Sequence, residues 1–122
     1  MAGAEGYAHE LVGRAATLLH DDVAAAQRLY TEALELDPTI RQGWFDLALV
    51  HKWRRAWDDC LACNRNAITL APELAGRNDP AAWDAGVAAT ALHDWSAARR
   101  AWRHYGLDVG GAGATPVAID LG

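Results

Sequence analysis

The segment RLYTEALELDP (28–38) decides the fold of this chain, because a related segment, RNAITLAP (65–72), follows it at a regular interval. The prolines that close them, Pro38 and Pro72, lie 34 residues apart. A period of this length that ends in proline is typical of a helix–turn–helix repeat. Such repeats fold by stacking on their neighbours, and their usual product is an extended binding surface rather than a catalytic cleft.

The composition of the chain favours a single all-α domain. Its 122 residues are enough to bury a core, 27 of them are alanine, the strongest helix former, and only four are proline. Arginine outnumbers lysine ten to one. Together with the alanine content, this ratio favours a bacterial source with a GC-rich genome.

Charge and hydropathy argue against several functional classes. A formal net charge of −5 does not suit a general nucleic-acid binder, which needs a basic face. No stretch approaches the roughly 18 continuous apolar residues of a membrane span, and MAGAEGYAHE (1–10) lacks the features of a signal peptide. Because the chain has two cysteines and no secretion signal, we expect a cytoplasmic protein.

Basic residues nevertheless cluster in HKWRR (51–55) and in RRAWRH (99–104). One interpretation is that they form solvated helix faces. The other is that they contact an acidic peptide or a phosphate-bearing partner. The sequence leaves both open.

The spacing of apolar residues predicts three antiparallel helix pairs. The middle pair covers 42–53 and 57–70, and its short connection over 54–56 makes the two helices neighbours. In the first pair we expect helices over about 4–19 and over 23–36, with Asp22 as N-cap of the second.

The third pair has the clearest boundaries. Asp79 followed by Pro80 predicts a helix start, Asp94 predicts an N-cap for a last helix over 95–105, and Gly106 predicts its end. The apolar residues of the first helix of this pair recur at helical spacing and are expected to be buried: Trp83, Val87 and Thr90.

The order of residue types in these pairs resembles the tetratricopeptide repeat, whose pattern is Trp-x2-Leu-Gly-x2-Tyr, then Ala-x3-Phe, Ala and Pro. The middle repeat reads Trp44-x2-Leu47-Ala48-x2-His51, Cys60-x3-Asn64, Ala67 and Pro72. The third reads Trp83-x2-Gly86-Val87-x2-Thr90 and Ala98-x3-Trp102, and the first keeps Ala26-x3-Tyr30, Ala33 and Pro38. The repeats would cover about 7–38, 41–74 and 80–106 of a domain over 1–106. Asn64 replaces the usual aromatic residue, and 76–78 lies in an apparent five-residue insertion.

The resemblance implies a right-handed superhelical stack whose first helices line a concave groove for a protein or an extended peptide. The residues expected to face this groove are Phe45, Leu49, Lys52, Trp53, Asp84, Ala88 and Ala91. Members of the family that grip a peptide carboxylate use Lys, Asn and Arg on these faces. Phe45 and Leu49 replace most of that chemistry here, so we expect an apolar groove with one or two charges.

Six tryptophans are many for a chain of this length. Five lie at positions where we expect core packing: Trp44, Trp57, Trp83, Trp95 and Trp102. Trp53 lies off the packing stripe and beside Lys52, where an exposed indole would be a suitable anchor for a peptide.

The sequence contains no convincing catalytic or cofactor site, so we expect neither an enzyme nor a bound metal. Cys60 and Cys63 have C-x-x-C spacing, but zinc would need four ligands, and a redox pair normally lies at a helix N-terminus. We expect both thiols to fill small spaces in the helix packing.

Two other interpretations concern the end of the chain. The last helix lacks a polar capping helix, so it could pair with a second copy and form a homodimer. Residues 107–122 are rich in glycine and alanine and end in a strand-like segment. They could be disordered, fold back on the helices, or begin a further region of a longer protein.

Overall fold

The computed structural model describes residues 2–107, and this part of the chain is entirely helical, with no strand. It contains six α-helices and one short 3₁₀ helix, Pro72–Leu74. The α-helices are α1 (Ala2–Leu18), α2 (Val23–Leu36), α3 (Arg41–Trp53), α4 (Trp57–Thr69), α5 (Pro80–Ala91) and α6 (Trp95–Tyr105). The predictions made for the tail over 108–122 lie outside the described residues.

Consecutive helices pack as pairs, α1 with α2, α3 with α4 and α5 with α6. The pairs are joined by contacts of α2 with α3 and of α4 with α5. The prediction of an all-α domain built from packed helix pairs is therefore confirmed for residues 2–107. Within residues 2–107, none of the helices combines the length and the apolar composition that a crossing of the lipid bilayer requires.

Short side chains at the helix contacts explain why the pairs pack closely. The fully buried alanines come from every pair, and they include Ala8, Ala26, Ala33, Ala48 and Ala88. The largest fully buried side chain is that of Tyr30. Because alanine loses little side-chain entropy and keeps backbones near one another, helix pairing here depends on many small contacts.

Local capping sets four of the helix ends as expected. A side-chain oxygen of Asp22 accepts a hydrogen bond from the backbone N–H of Ala25 at 3.1 Å, and Asp94 does the same for Ala97 at 3.0 Å. Asp79 caps α5 through the N–H of Ala81. Gly106 ends α6 at φ 118°, a conformation that favours glycine.

The insertion before α5 has a structural role that the sequence did not suggest. The N–H of Gly76 donates to the carbonyl of His104 at 2.7 Å, and the N–H of Asn78 donates to the carbonyl of Tyr105 at 2.9 Å. The last carbonyls of a helix have no partners within it. The insertion therefore caps the C-terminus of α6 and holds it beside the start of α5.

The buried face of α5 is shifted by one residue from the predicted stripe. The indole of Trp83 is 44% exposed, and Val87 and Thr90 are only partly buried. The buried positions at the same spacing are Ala82, Ala85, Gly86 and Ala89. The prediction that Trp83 is a core residue is therefore wrong.

The physical reason for this shift is the contact between Gly86 and the Trp102 ring of α6. A Cβ atom at Gly86 would lie 2.5 Å from two atoms of that ring. Only a residue without a side chain fits against the ring at this distance, so position 86 faces α6. The side chain of Trp83, three residues earlier, then lies on the outer side of α5. Trp44, Trp57 and Trp102 are half-buried against the core as expected.

Candidate binding cleft

The residues predicted to face a groove differ in exposure, and Ala91, at the end of α5, is exposed. On α3, Phe45, Leu49 and Lys52 are half-buried and Trp53 is 44% exposed. On α5, Asp84 is buried but reaches Lys52. Ala88 has no exposed surface because it lies in the helical core. Ala88 therefore cannot contact a partner directly, and that prediction is corrected.

A cleft of about 300 Å³ lies between α3 and α5, at the end where α5 begins. Its lining residues come from α3, the insertion, α5 and α6, and they are Phe45, Asn78, Pro80, Trp83, Asp84 and Tyr105. Of the residues predicted to face a groove, only Phe45 and Asp84 line it. The other four were not predicted from the sequence; a register of α5 with Gly86 facing α6 would have placed Trp83 outward.

The aromatic wall of the cleft is held by ring contacts. The Trp83 ring centroid lies 5.2 Å from that of Tyr105 and 5.0 Å from that of Trp102, at an interplanar angle of 62° to Trp102. Edge-to-face and tilted pairs at these distances are favourable arrangements. Trp83 is thus exposed but supported from behind by α6, which limits the entropy it would lose on binding.

Two ion pairs are present in the described part of the chain, and the one that reaches the cleft joins α3 to α5. Lys52 Nζ lies 3.1 Å from Asp84 Oδ1, and their side chains are 32% and 9% exposed. Because the carboxylate is nearly buried, withdrawing the ammonium would leave a poorly solvated charge. The positive charge of Lys52 is therefore compensated inside the protein.

Polar contacts also fix both ends of α3. At its start, Arg41 Nε donates to the carbonyl of Ala67 at 3.0 Å, and Arg41 Nη2 pairs with Asp79, the N-cap of α5. These contacts join α3 to α4 and α5. They fix the start of α3 beside the start of α5, where Phe45 and Pro80 line the cleft.

A buried hydrogen bond joins α3 to the preceding pair. Tyr30 donates its hydroxyl to Asp46 Oδ2 at 2.9 Å, and Gln42 Nε2 donates to Asp46 Oδ1 at 2.7 Å. Burial raises the pKa of Asp46, and the two hydrogen bonds, which lower it, only partly offset this effect. Burial, with the neighbouring Asp46 charge, also raises the pKa of Tyr30. The network therefore keeps the phenol protonated and donating.

Trp53 lies apart from the cleft. It is eight residues beyond Phe45, which corresponds to about 12 Å along the helix axis. Its ring centroid is 5.4 Å from that of His20, in the connection between α1 and α2. A partner that contacts both Trp53 and the cleft would have to extend along α3.

The two cysteines are free and buried inside α4. Burial raises the pKa of the Cys60 thiol to about 11, with a further increase from Asp84, and raises that of Cys63 to about 12, with a further increase from Cys60. Both thiols are protonated near neutral pH and are poor nucleophiles. Across residues 2–107, no three His, Cys, Asp or Glu side chains converge as metal ligands would.

We expect the native thiols to react slowly. At pH 7 a thiolate-specific reagent such as a disulfide dye should modify the folded protein at least tenfold more slowly than the protein unfolded in urea, because burial suppresses both ionisation and access. Absorbance at the dye wavelength measures both rates. Rapid modification of one thiol in the folded protein would contradict this and would indicate an activated cysteine.

Comparison of the chain with protein-family models gives no match, and comparison with curated proteins gives none either. Membership of the tetratricopeptide-repeat family therefore stays a prediction that depends on the residue pattern.

Proposed function

We propose that this protein is a binding scaffold that recognises another protein or an extended peptide through the cleft between α3 and α5. The observation that carries the proposal is Trp83, which is 44% exposed beside Phe45 and Tyr105 in a cleft of about 300 Å³. Exposed aromatic residues that border a concave site are typical anchors of interfaces.

The proposed mechanism is recognition by a pre-formed surface. Ion pairs at both ends of α3 connect it to α5, and ring contacts support Trp83 from α6. A surface of this kind loses little conformational entropy on binding. We further propose that the helix pairs form a right-handed stack of the tetratricopeptide type, with α3 and α5 as neighbouring first helices. A cytoplasmic location fits the two free cysteines.

The proposal predicts that Phe45→Ala and Trp83→Ala each weaken peptide binding by about tenfold, because each removes an aromatic wall of the cleft. Peptides selected from a random display library against the wild-type protein supply the ligands. Isothermal titration calorimetry measures the dissociation constant for each variant.

Leu36→Ala is the matched control, because Leu36 is 41% exposed but lies at the end of α2, outside the cleft. Its dissociation constant should stay within twofold of the wild-type value. Trp53→Ala should have a smaller effect than Trp83→Ala unless the peptide extends along α3. Selected peptides that bind all four variants equally well would contradict the proposal.

Self-association is the second candidate function. It is favoured by apolar groups at the α5–α6 end, where Trp83 is 44% exposed and Leu107 is 41% exposed. Light scattering at high protein concentration separates the two candidates. A dimer that Trp83→Ala converts to monomer would support self-association, whereas a monomer leaves the cleft free for a different partner.

A further inference from the structure

We propose that the cleft takes a cationic side chain, arginine or lysine, from a basic peptide. This inference rests on the proposed function and assigns a ligand class to the same site. The structure places three aromatic side chains and one carboxylate around a space of about 300 Å³, and no basic residue is among its lining residues in the described part of the chain.

The aromatic rings of the cleft favour a cationic ligand. A guanidinium or ammonium group within about 6 Å of an aromatic ring is attracted by the negative face of the ring, most strongly by that of tryptophan. Trp83, Phe45 and Tyr105 all line the cleft. The apolar stem of a long basic side chain can also pack against these rings while its charged end stays near polar groups.

The charges around the cleft also favour a cationic ligand. Asp84 contributes a carboxylate to the lining, and Asn78 contributes a polar side chain. The lysine and the arginine of α3 are already partnered, Lys52 by Asp84 and Arg41 by Asp79. The whole chain carries a formal charge of −5, which attracts a basic peptide and repels an acidic one at a distance.

An acidic ligand fits the cleft poorly. To form an ion pair with Lys52 it would have to compete with Asp84, which is already paired with that ammonium and is only 6% exposed. That exchange leaves a nearly buried carboxylate without its partner and close to a second negative charge. The polarity proposed here is therefore the opposite of a site that grips a peptide carboxylate.

The test uses three capped tripeptides of the form glycine–X–glycine, in which X is arginine, its neutral analogue citrulline, or glutamate. Each is titrated into uniformly ¹⁵N-labelled protein, and the indole N–H resonance of Trp83, assigned with Trp83→Phe, reports binding. We expect the arginine peptide to bind at least fivefold more tightly than the citrulline peptide, and the glutamate peptide to cause no saturable shift. A lysine version of the peptide then separates guanidinium from ammonium recognition.

Lys52→Gln tests directly whether the ligand cation binds beside Asp84. Glutamine keeps an N–H donor for Asp84 but carries no charge, so we expect a less stable protein that still folds, and circular dichroism checks the fold. The variant removes the cation that competes for Asp84, so the arginine peptide should bind about three- to tenfold more tightly. A weaker affinity for the arginine peptide, or a gain confined to the glutamate peptide, would overturn the inference.

These outcomes separate the inference from the proposed function. If library-selected peptides need Trp83 but the arginine and citrulline peptides bind equally, the cleft is a binding site without preference for a cation. If no peptide needs Trp83, the proposed function fails as well.

Discussion

Asp79→Ala should lower the free energy of unfolding by about 3 kcal/mol, because this carboxylate both caps α5 and pairs with Arg41. Its side chain is completely buried. One oxygen, Oδ1, accepts from the N–H of Ala81 at 3.0 Å and from Arg41 Nη2. Alanine at this position removes the cap, leaves the half-buried guanidinium without its carboxylate, and loosens the contact of α3 with α5.

Two further variants separate these contributions in urea unfolding experiments. Asp94→Ala is the matched control, since Asp94 caps α6 in the same way but is exposed and forms no ion pair within the described residues. Asp94→Ala should lower the free energy of unfolding by only about 1 kcal/mol. Asp79→Asn keeps a cap acceptor without the charge and should fall between the two. Equal losses for Asp79→Ala and Asp94→Ala would show that the ion pair adds nothing to stability.

The features that sequence analysis predicted well are local. A capping residue acts on an N–H two or three positions away, as Asp22, Asp79 and Asp94 do. Helix ends and pairing therefore followed from short stretches of sequence. In the middle helix pair, Leu47, Ala48 and Cys60 are buried at the predicted spacing.

The register of α5 could not be predicted in the same way. Hydrophobic periodicity assigns the largest apolar residue to the core, and on α5 that residue is Trp83. The contact that decides otherwise joins Gly86 to Trp102, on a different helix. The sequence did contain one indication of the correct register. A glycine inside a helix often lies where another group approaches the backbone closely, and the other faces of α5 pack through alanines.

The cleft depends on contacts between residues that are distant in the chain. Lys52 and Asp84 are separated by 32 residues, and Arg41 and Asp79 by 38. Lys52 was predicted to be free to contact a partner, because nothing in the local pattern indicates that it pairs with a carboxylate from the next helix pair. The same limitation concealed Asn78 and Tyr105, which the insertion brings together.

Gly86→Ala should destabilise the protein by about 2–3 kcal/mol, although alanine is normally the better helix former. The new methyl group would lie 2.5 Å from the Trp102 ring, so the ring has to move. Trp102 in turn packs against Trp83, with 5.0 Å between ring centroids. The substitution should therefore also disturb the aromatic wall of the cleft and weaken the binding of selected peptides.

Gly13 in α1 provides a control in which the same substitution should stabilise the protein. A Cβ at Gly13 would meet nothing within 4 Å, so Gly13→Ala should raise the free energy of unfolding by about 0.5–1 kcal/mol through the helix propensity of alanine. The clash at Gly86 involves the six-membered ring of Trp102, and phenylalanine is smaller. Gly86→Ala should therefore cost much less in a Trp102→Phe background than in the wild type, as a double-mutant cycle measures. Additive losses would mean that the Trp102 ring does not set the register of α5.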